Sequence, residues 1–148
     1  MDNRLQTPFA VLRVGIGLAA TLAGIDKFFN LLADWEAYVS PAAAAILPVS
    51  TTAFISLVGL IEIAVGLAIL TKLTRAGAYV ASGWLLAVAA NLAFAGFYDI
   101  AVRDVVMALA AFTLARLAEV AADMPALEFN SIVPVPTAHD RLGEGHPV

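Results

Sequence analysis

The chain has 148 residues, 61% hydrophobic and only 14% charged, with a formal net charge of −4 and a mean hydropathy of +0.89. Soluble domains carry roughly 25% charged residues, so this composition excludes an ordinary soluble domain. The absence of cysteine excludes disulfides, thiol redox chemistry and thiolate metal sites, and the mildly acidic balance argues against a nucleic-acid partner.

Four apolar runs approach the length of about 20 residues that crosses a bilayer core. The first is expected from Pro8 to Leu32, with proline placed in a helix's opening turn where it is tolerated. It is too long, and too charged at both ends, for a cleaved secretory signal. The linker ADWEAYVSPAAAAILPVS follows. Trp35 and Tyr38 within it favour a membrane interface, and Pro41 and Pro48 bracket AAAAIL, a short interfacial helix that cannot cross. Span 2 is predicted over 52–70, span 3 over 77–97 and span 4 over 100–120, joined by short loops that make consecutive helices antiparallel neighbours. From Met124 onward the periodicity stops. PALEFNSIVPVPTAHDRLGEGHPV, which holds both histidines, His139 and His146, reads as an extended or disordered tail. The predicted fold is therefore all-α: a membrane four-helix bundle over residues 1–123, with an interfacial segment after helix 1 and a tail over 124–148. Arg4, Lys72, Arg75 and Arg116 gather at one end, while Asp34 and Glu36 lie in the first loop. The excess of cations places both termini in the cytoplasm.

Ionisable groups inside a membrane span cost about 2.5–3.5 kcal/mol each on insertion scales, so they turn inward and find partners. The candidates are Arg13, Asp26, Lys27, Glu62, Asp99, Arg103, Asp104 and Arg116. Arg13, Gly17, Ala20, Gly24 and Lys27 share one helical face, as do Ser56, Gly59, Glu62 and Gly66, and again Asp104, Ala108, Ala111 and Ala115. Small residues on such stripes allow close helix approach, which puts the charges on packing faces. A rise of about 1.5 Å per residue sets their depths. On that basis Glu62 is expected to meet Arg13 or Arg116 in an inner cluster, while Asp26 and Lys27 meet Asp99, Arg103 and Asp104 in an outer one. Asn91 adds an amide to span 3, read as an interhelical hydrogen bond or as part of a polar pocket. Trp84 and Phe94 either pack or flank a flat ligand. Two readings of the clusters stand: paired charges that fix helix order, or a pocket for a headgroup, a proton or a quinone carbonyl. No span contains histidine, which argues against an intramembrane haem or histidine-ligated metal, and no Ser–His pair or phosphate-binding loop is present.

VLRVGIGLAATLAGIDKFFNLLADWEAYVSP, GLIEIAVGLAIL and FYDIAVRDVVMALAAFTLARL together resemble the DoxX-like family of small bacterial four-helix membrane proteins, over about residues 8 to 120. The resemblance lies in the joint order of Arg13, Gly24-x-x-Lys27, Glu62 and Arg103–Asp104. It implies a four-helix bundle in the bacterial inner membrane, with those charged positions shared, and a redox setting such as quinone-linked thiosulfate oxidation. The missing cysteines, present in some relatives, argue against a thiol mechanism, and the tail is not part of the shared pattern. The leading functional expectation is an accessory subunit without a metal of its own, touching lipid, other membrane subunits through its tail, and a quinone or lipid cofactor. The alternative is a self-contained membrane enzyme or a carrier of protons or small molecules that uses Glu62 and the Lys27/Asp104 cluster.

Overall fold

The computed structural model describes residues 3–123; the predicted tail and its two histidines lie outside the described residues. Helix α1 covers Asn3–Asp26, α2 Pro41–Ile46, α3 Thr51–Leu70, α4 Thr74–Phe94 and α5 Tyr98–Asp123, with one turn of 3-10 helix at Trp35–Tyr38. No strand occurs among the described residues. Stretches of α1, α3, α4 and α5 are long and apolar enough to cross a membrane: Leu5–Asp26, Thr51–Leu70, Thr74–Phe94 and Tyr98–Ala122.

Local chemistry sets several boundaries. Ser40 and Ser50 cap α2 and α3, their hydroxyls accepting the N–H of Ala43 at 3.1 Å and of Ala53 at 3.2 Å. Pro41 then opens α2 where its missing N–H costs nothing. The first helix is displaced from the predicted span: α1 begins at Asn3 and ends at Asp26, not Leu32, so Pro8 lies inside the helix and not in its opening turn. Asn30 adopts a left-handed conformation (φ 52°), and the Asp26 carboxylate accepts the N–H groups of Leu31 and Leu32 at 3.0–3.1 Å. These bonds fold the chain back across the helix end in place of a further turn.

Helix α1 packs chiefly on α3, and α4 on α5; contacts of α3 with α4 and of α1 with α5 complete the bundle. The first pair is interlocked through glycine. A Cβ added to Gly24 would lie 2.6 Å from the Gly59 carbonyl oxygen, and one on Gly59 would lie 2.7 Å from that of Gly24. Gly17 and Gly66 repeat the arrangement further along, where a Cβ on Gly66 would lie 2.7 Å from the Gly17 carbonyl oxygen. The backbones touch, so dispersion contacts act along the whole seam. The α4–α5 seam uses alanine instead: Ala78, Ala81, Ala108, Ala111 and Ala115 are almost completely enclosed. Ile16, Ile69 and Leu114 fill the core near the α3–α4 loop. Large side chains point outward instead, among them Leu18, Leu22, Leu60, Leu67, Leu86 and Phe112. So wide an apolar exterior suits hydrocarbon, not water.

Candidate functional site

Lys27 lies one residue past the end of α1, yet its side chain is only 5% exposed. Its Nζ donates to Glu62 Oε2 at 2.5 Å, and the Glu62 side chain is 15% exposed. Helical side chains lean toward their own N-terminus. Because α1 and α3 run antiparallel, Lys27 leans into the bundle and Glu62 leans back toward the linker, so the two converge across the Gly24–Gly59 contact. The Trp35 ring covers this pair, its centroid 3.7 Å from Nζ, in a cation–π arrangement. Trp35 is held there by its own indole N–H, which donates to Asp26 Oδ2 at 2.7 Å. Asp26 therefore ties down the 31–35 turn and its tryptophan together.

Two further groups approach the pair. The buried Trp84 Nε1 lies beside the Glu62 carboxylate but falls short of hydrogen-bond geometry and has no other partner among the described residues. Asp104 of α5 is buried and within Coulombic reach of Glu62. Its Oδ1 accepts from Arg103 Nε at 3.2 Å and Nη2 at 3.1 Å, and the Arg103 side chain is 65% exposed. Next to this region Asn91 fastens the linker to α4. Its Nδ2 donates to the Tyr38 carbonyl at 2.7 Å, and its Oδ1 accepts the Ser40 N–H at 3.0 Å. Tyr38 then meets Phe97 edge-on at 5.0 Å.

This arrangement corrects the predicted clusters. Glu62 pairs with neither Arg13 nor Arg116. Arg13 leans the other way, toward the start of α1, and donates to the carbonyls of Ile69 (3.1 Å), Leu70 (2.7 Å) and Thr71 (2.8 Å). It satisfies the last carbonyls of α3, where a cation also suits the helix dipole. Arg116 is exposed and pairs with Glu119, which also accepts the Tyr79 hydroxyl at 2.9 Å and has Arg75 Nε at 3.5 Å. The outer cluster divides as well: Asp26 takes backbone and indole donors, Lys27 takes Glu62, Arg103 and Asp104 pair with each other, and Asp99 stays exposed. Asn91 bonds the linker backbone and not another span. Phe94 is largely exposed, whereas Trp84 is turned toward the polar site. Sequence reasoning did not assign Trp35 this role. Its position between Asp34 and Glu36, next to a charged helix end, was the available signal.

At the opposite end of the bundle the α3–α4 loop forms a shallow cleft of about 510 Å³. Arg13, Lys72 and Arg75 line it together with Phe9, Ala118 and Ala122. Among the described residues, no group of three or more His, Cys, Asp or Glu side chains is placed to hold a metal ion.

The fold and site define an all-helical protein with four membrane-length helices, whose deepest charges are paired within the chain. Compared with protein-family models, curated proteins and solved structures, the chain matches none.

Proposed function

We propose that the chain is an accessory subunit of a quinone-linked respiratory or redox assembly in the bacterial inner membrane, with no redox metal of its own. The observation that carries the subunit reading is the closed Lys27–Glu62 pair under Trp35, which leaves the buried ions neutralised within the chain. A scaffold needs its helices held in one arrangement with no ion left bare, whereas a site working on its own substrate needs an unpartnered group to present. The apolar faces of the four spans offer contact to lipid or to neighbouring subunits. The redox setting follows from the DoxX-like order of Arg13, Lys27, Glu62, Arg103 and Asp104. The cation-rich end at Lys72 and Arg75 faces the cytoplasm on the positive-inside rule. The test is purification from native membranes in a mild detergent, followed by identification of co-purifying chains. Recovery with quinone-reducing or quinol-oxidising subunits is the expected result. Recovery of this chain alone, across detergents, overturns the reading.

One observation favours a second reading. The unpartnered Trp84 N–H next to Glu62 is a donor aimed at the polar site, suited to a quinone carbonyl or other acceptor. A ligand-binding or carrier role then requires that Trp84→Phe or Glu62→Gln abolish quinone binding while the protein still assembles. Unchanged binding in both variants removes this alternative.

A further inference from the structure

We propose that the cleft at the α3–α4 end of the bundle binds the phosphate of an anionic phospholipid. Three cations surround it, and they differ in how they are held. The Arg13 side chain is anchored by three backbone carbonyls, which fixes its direction, and its Nη1 has no partner among the described residues. Lys72 makes no hydrogen bond or ion pair among the described residues, and its side chain lines both this cleft and an adjoining one of about 380 Å³. Among the described residues, Arg75 has only the 3.5 Å approach to Glu119, which is shared with Arg116 and Tyr79, and the Arg75 side chain is 62% exposed. Among the described residues, positive charge therefore exceeds the single carboxylate that faces it. Helix α4 starts in the same place, and Leu73 at its N-cap offers no side-chain acceptor to the opening N–H groups. An anion here meets the positive end of that helix in addition to the three cations.

The walls identify which kind of phosphate fits. Phe9 of α1 and Ala118 and Ala122 of α5 give the cleft an apolar side that a free phosphate does not use. The cleft also lies where the membrane-length helices α3 and α4 end and begin, the level at which headgroups sit. A phosphodiester with attached acyl chains satisfies both halves of the lining: the phosphate between Arg13, Lys72 and Arg75, and the glycerol and upper chain along Phe9 and the alanines. Basic residues beside a span attract anionic lipid in this way. The inference needs only the membrane-spanning fold, so it stands or falls separately from the subunit reading.

The full-length protein is to be exchanged into mixtures of phosphatidylglycerol and phosphatidylcholine with matched chains, and the retained lipids counted by native mass spectrometry. The expected result is a preference for phosphatidylglycerol that drops by about tenfold or more in the Lys72→Gln/Arg75→Gln double variant. The charge-conserving Lys72→Arg/Arg75→Lys variant keeps the preference. Both side chains are at the surface, so circular dichroism is expected to show unchanged helix content. Absence of a preference in the unmodified protein overturns the proposal, as does a preference that survives the double glutamine variant. Displacement of the lipid by millimolar inorganic phosphate also overturns it, by assigning the site to free anions.

Discussion

Lys27→Met is expected to be the most destabilising single change at the buried pair. It leaves the Glu62 carboxylate, 15% exposed, with Asp104 nearby and only the misaligned Trp84 N–H to help it. Stranding one partner of a buried ion pair costs about 3–5 kcal/mol. Glu62→Leu strands the ammonium instead, but the Trp35 ring 3.7 Å from Nζ remains. A desolvated cation–π contact offsets about 1–2 kcal/mol, so this variant should lose less than Lys27→Met by about that amount. The Lys27→Met/Glu62→Leu double variant removes both charges and keeps the volume. It is expected to return to within about 1 kcal/mol of the parent, because buried pairs replaced by apolar groups are often neutral. Unfolding free energies in mixed micelles, with sodium dodecyl sulfate as denaturant and tryptophan fluorescence as probe, measure all four corners of the cycle. A double variant that loses the sum of the two single losses refutes energetic coupling between Lys27 and Glu62.

The glycine seam makes a position-specific prediction. Gly24→Ala pushes a methyl against the Gly59 carbonyl and is expected to cost about 1–3 kcal/mol in the same assay, whereas Gly15→Ala, which meets nothing within 4 Å, should be neutral or stabilising by up to about 1 kcal/mol; equal effects refute the seam. Asn91→Leu removes both anchors of the linker, and hydrogen exchange at the Ser40 amide should accelerate by about tenfold or more, with unchanged protection contradicting the anchoring role. Asp104→Ala, at a buried position facing the polar site, is expected to lower thermal stability by about 1–3 kcal/mol, while Asp99→Ala at the exposed start of α5 should stay within about 0.5 kcal/mol; similar losses count against the burial of Asp104.

The spans and the short helix between prolines were readable because hydropathy and proline act locally. Four runs of membrane length need no knowledge of their neighbours, and Ser40–Pro41 marks a helix start wherever it occurs. The small-residue stripes were also readable: Gly17 and Gly24 do face Gly66 and Gly59. The partners of the charges were not, for two physical reasons. Backbone position alone misplaces the charges in depth, because Lys27 and Arg13 both lean toward the start of α1. That lean brings Lys27 to Glu62 and carries Arg13 away from it, to the end of α3. Nor does a buried charge require an opposite charge, because backbone groups serve equally well. Arg13 takes three carbonyls and Asp26 takes two amides and an indole. The end of α1 depends on that second set, which forms only after the linker has folded back.

The two ends of the bundle thus handle charge in opposite ways. At the linker end, Trp35 closes over Lys27, Asn91 pins the chain beside it, and Arg103 and Asp104 satisfy each other, so the buried charges are matched and the Trp84 N–H is the polar group left over there among the described residues. At the α3–α4 end, Lys72 is free of partners among the described residues and Arg75 is loosely held, although the same end contains Glu119, which a closed design would have aimed at them. Glu119 instead serves Arg116 and Tyr79 on the α4–α5 side. A chain that neutralises its deepest charges yet leaves its peripheral cations open is built to be stable within the bilayer and attractive to anions at its surface. That division makes the linker end the place where mutations should report on folding, and the α3–α4 end the place where they should report on binding.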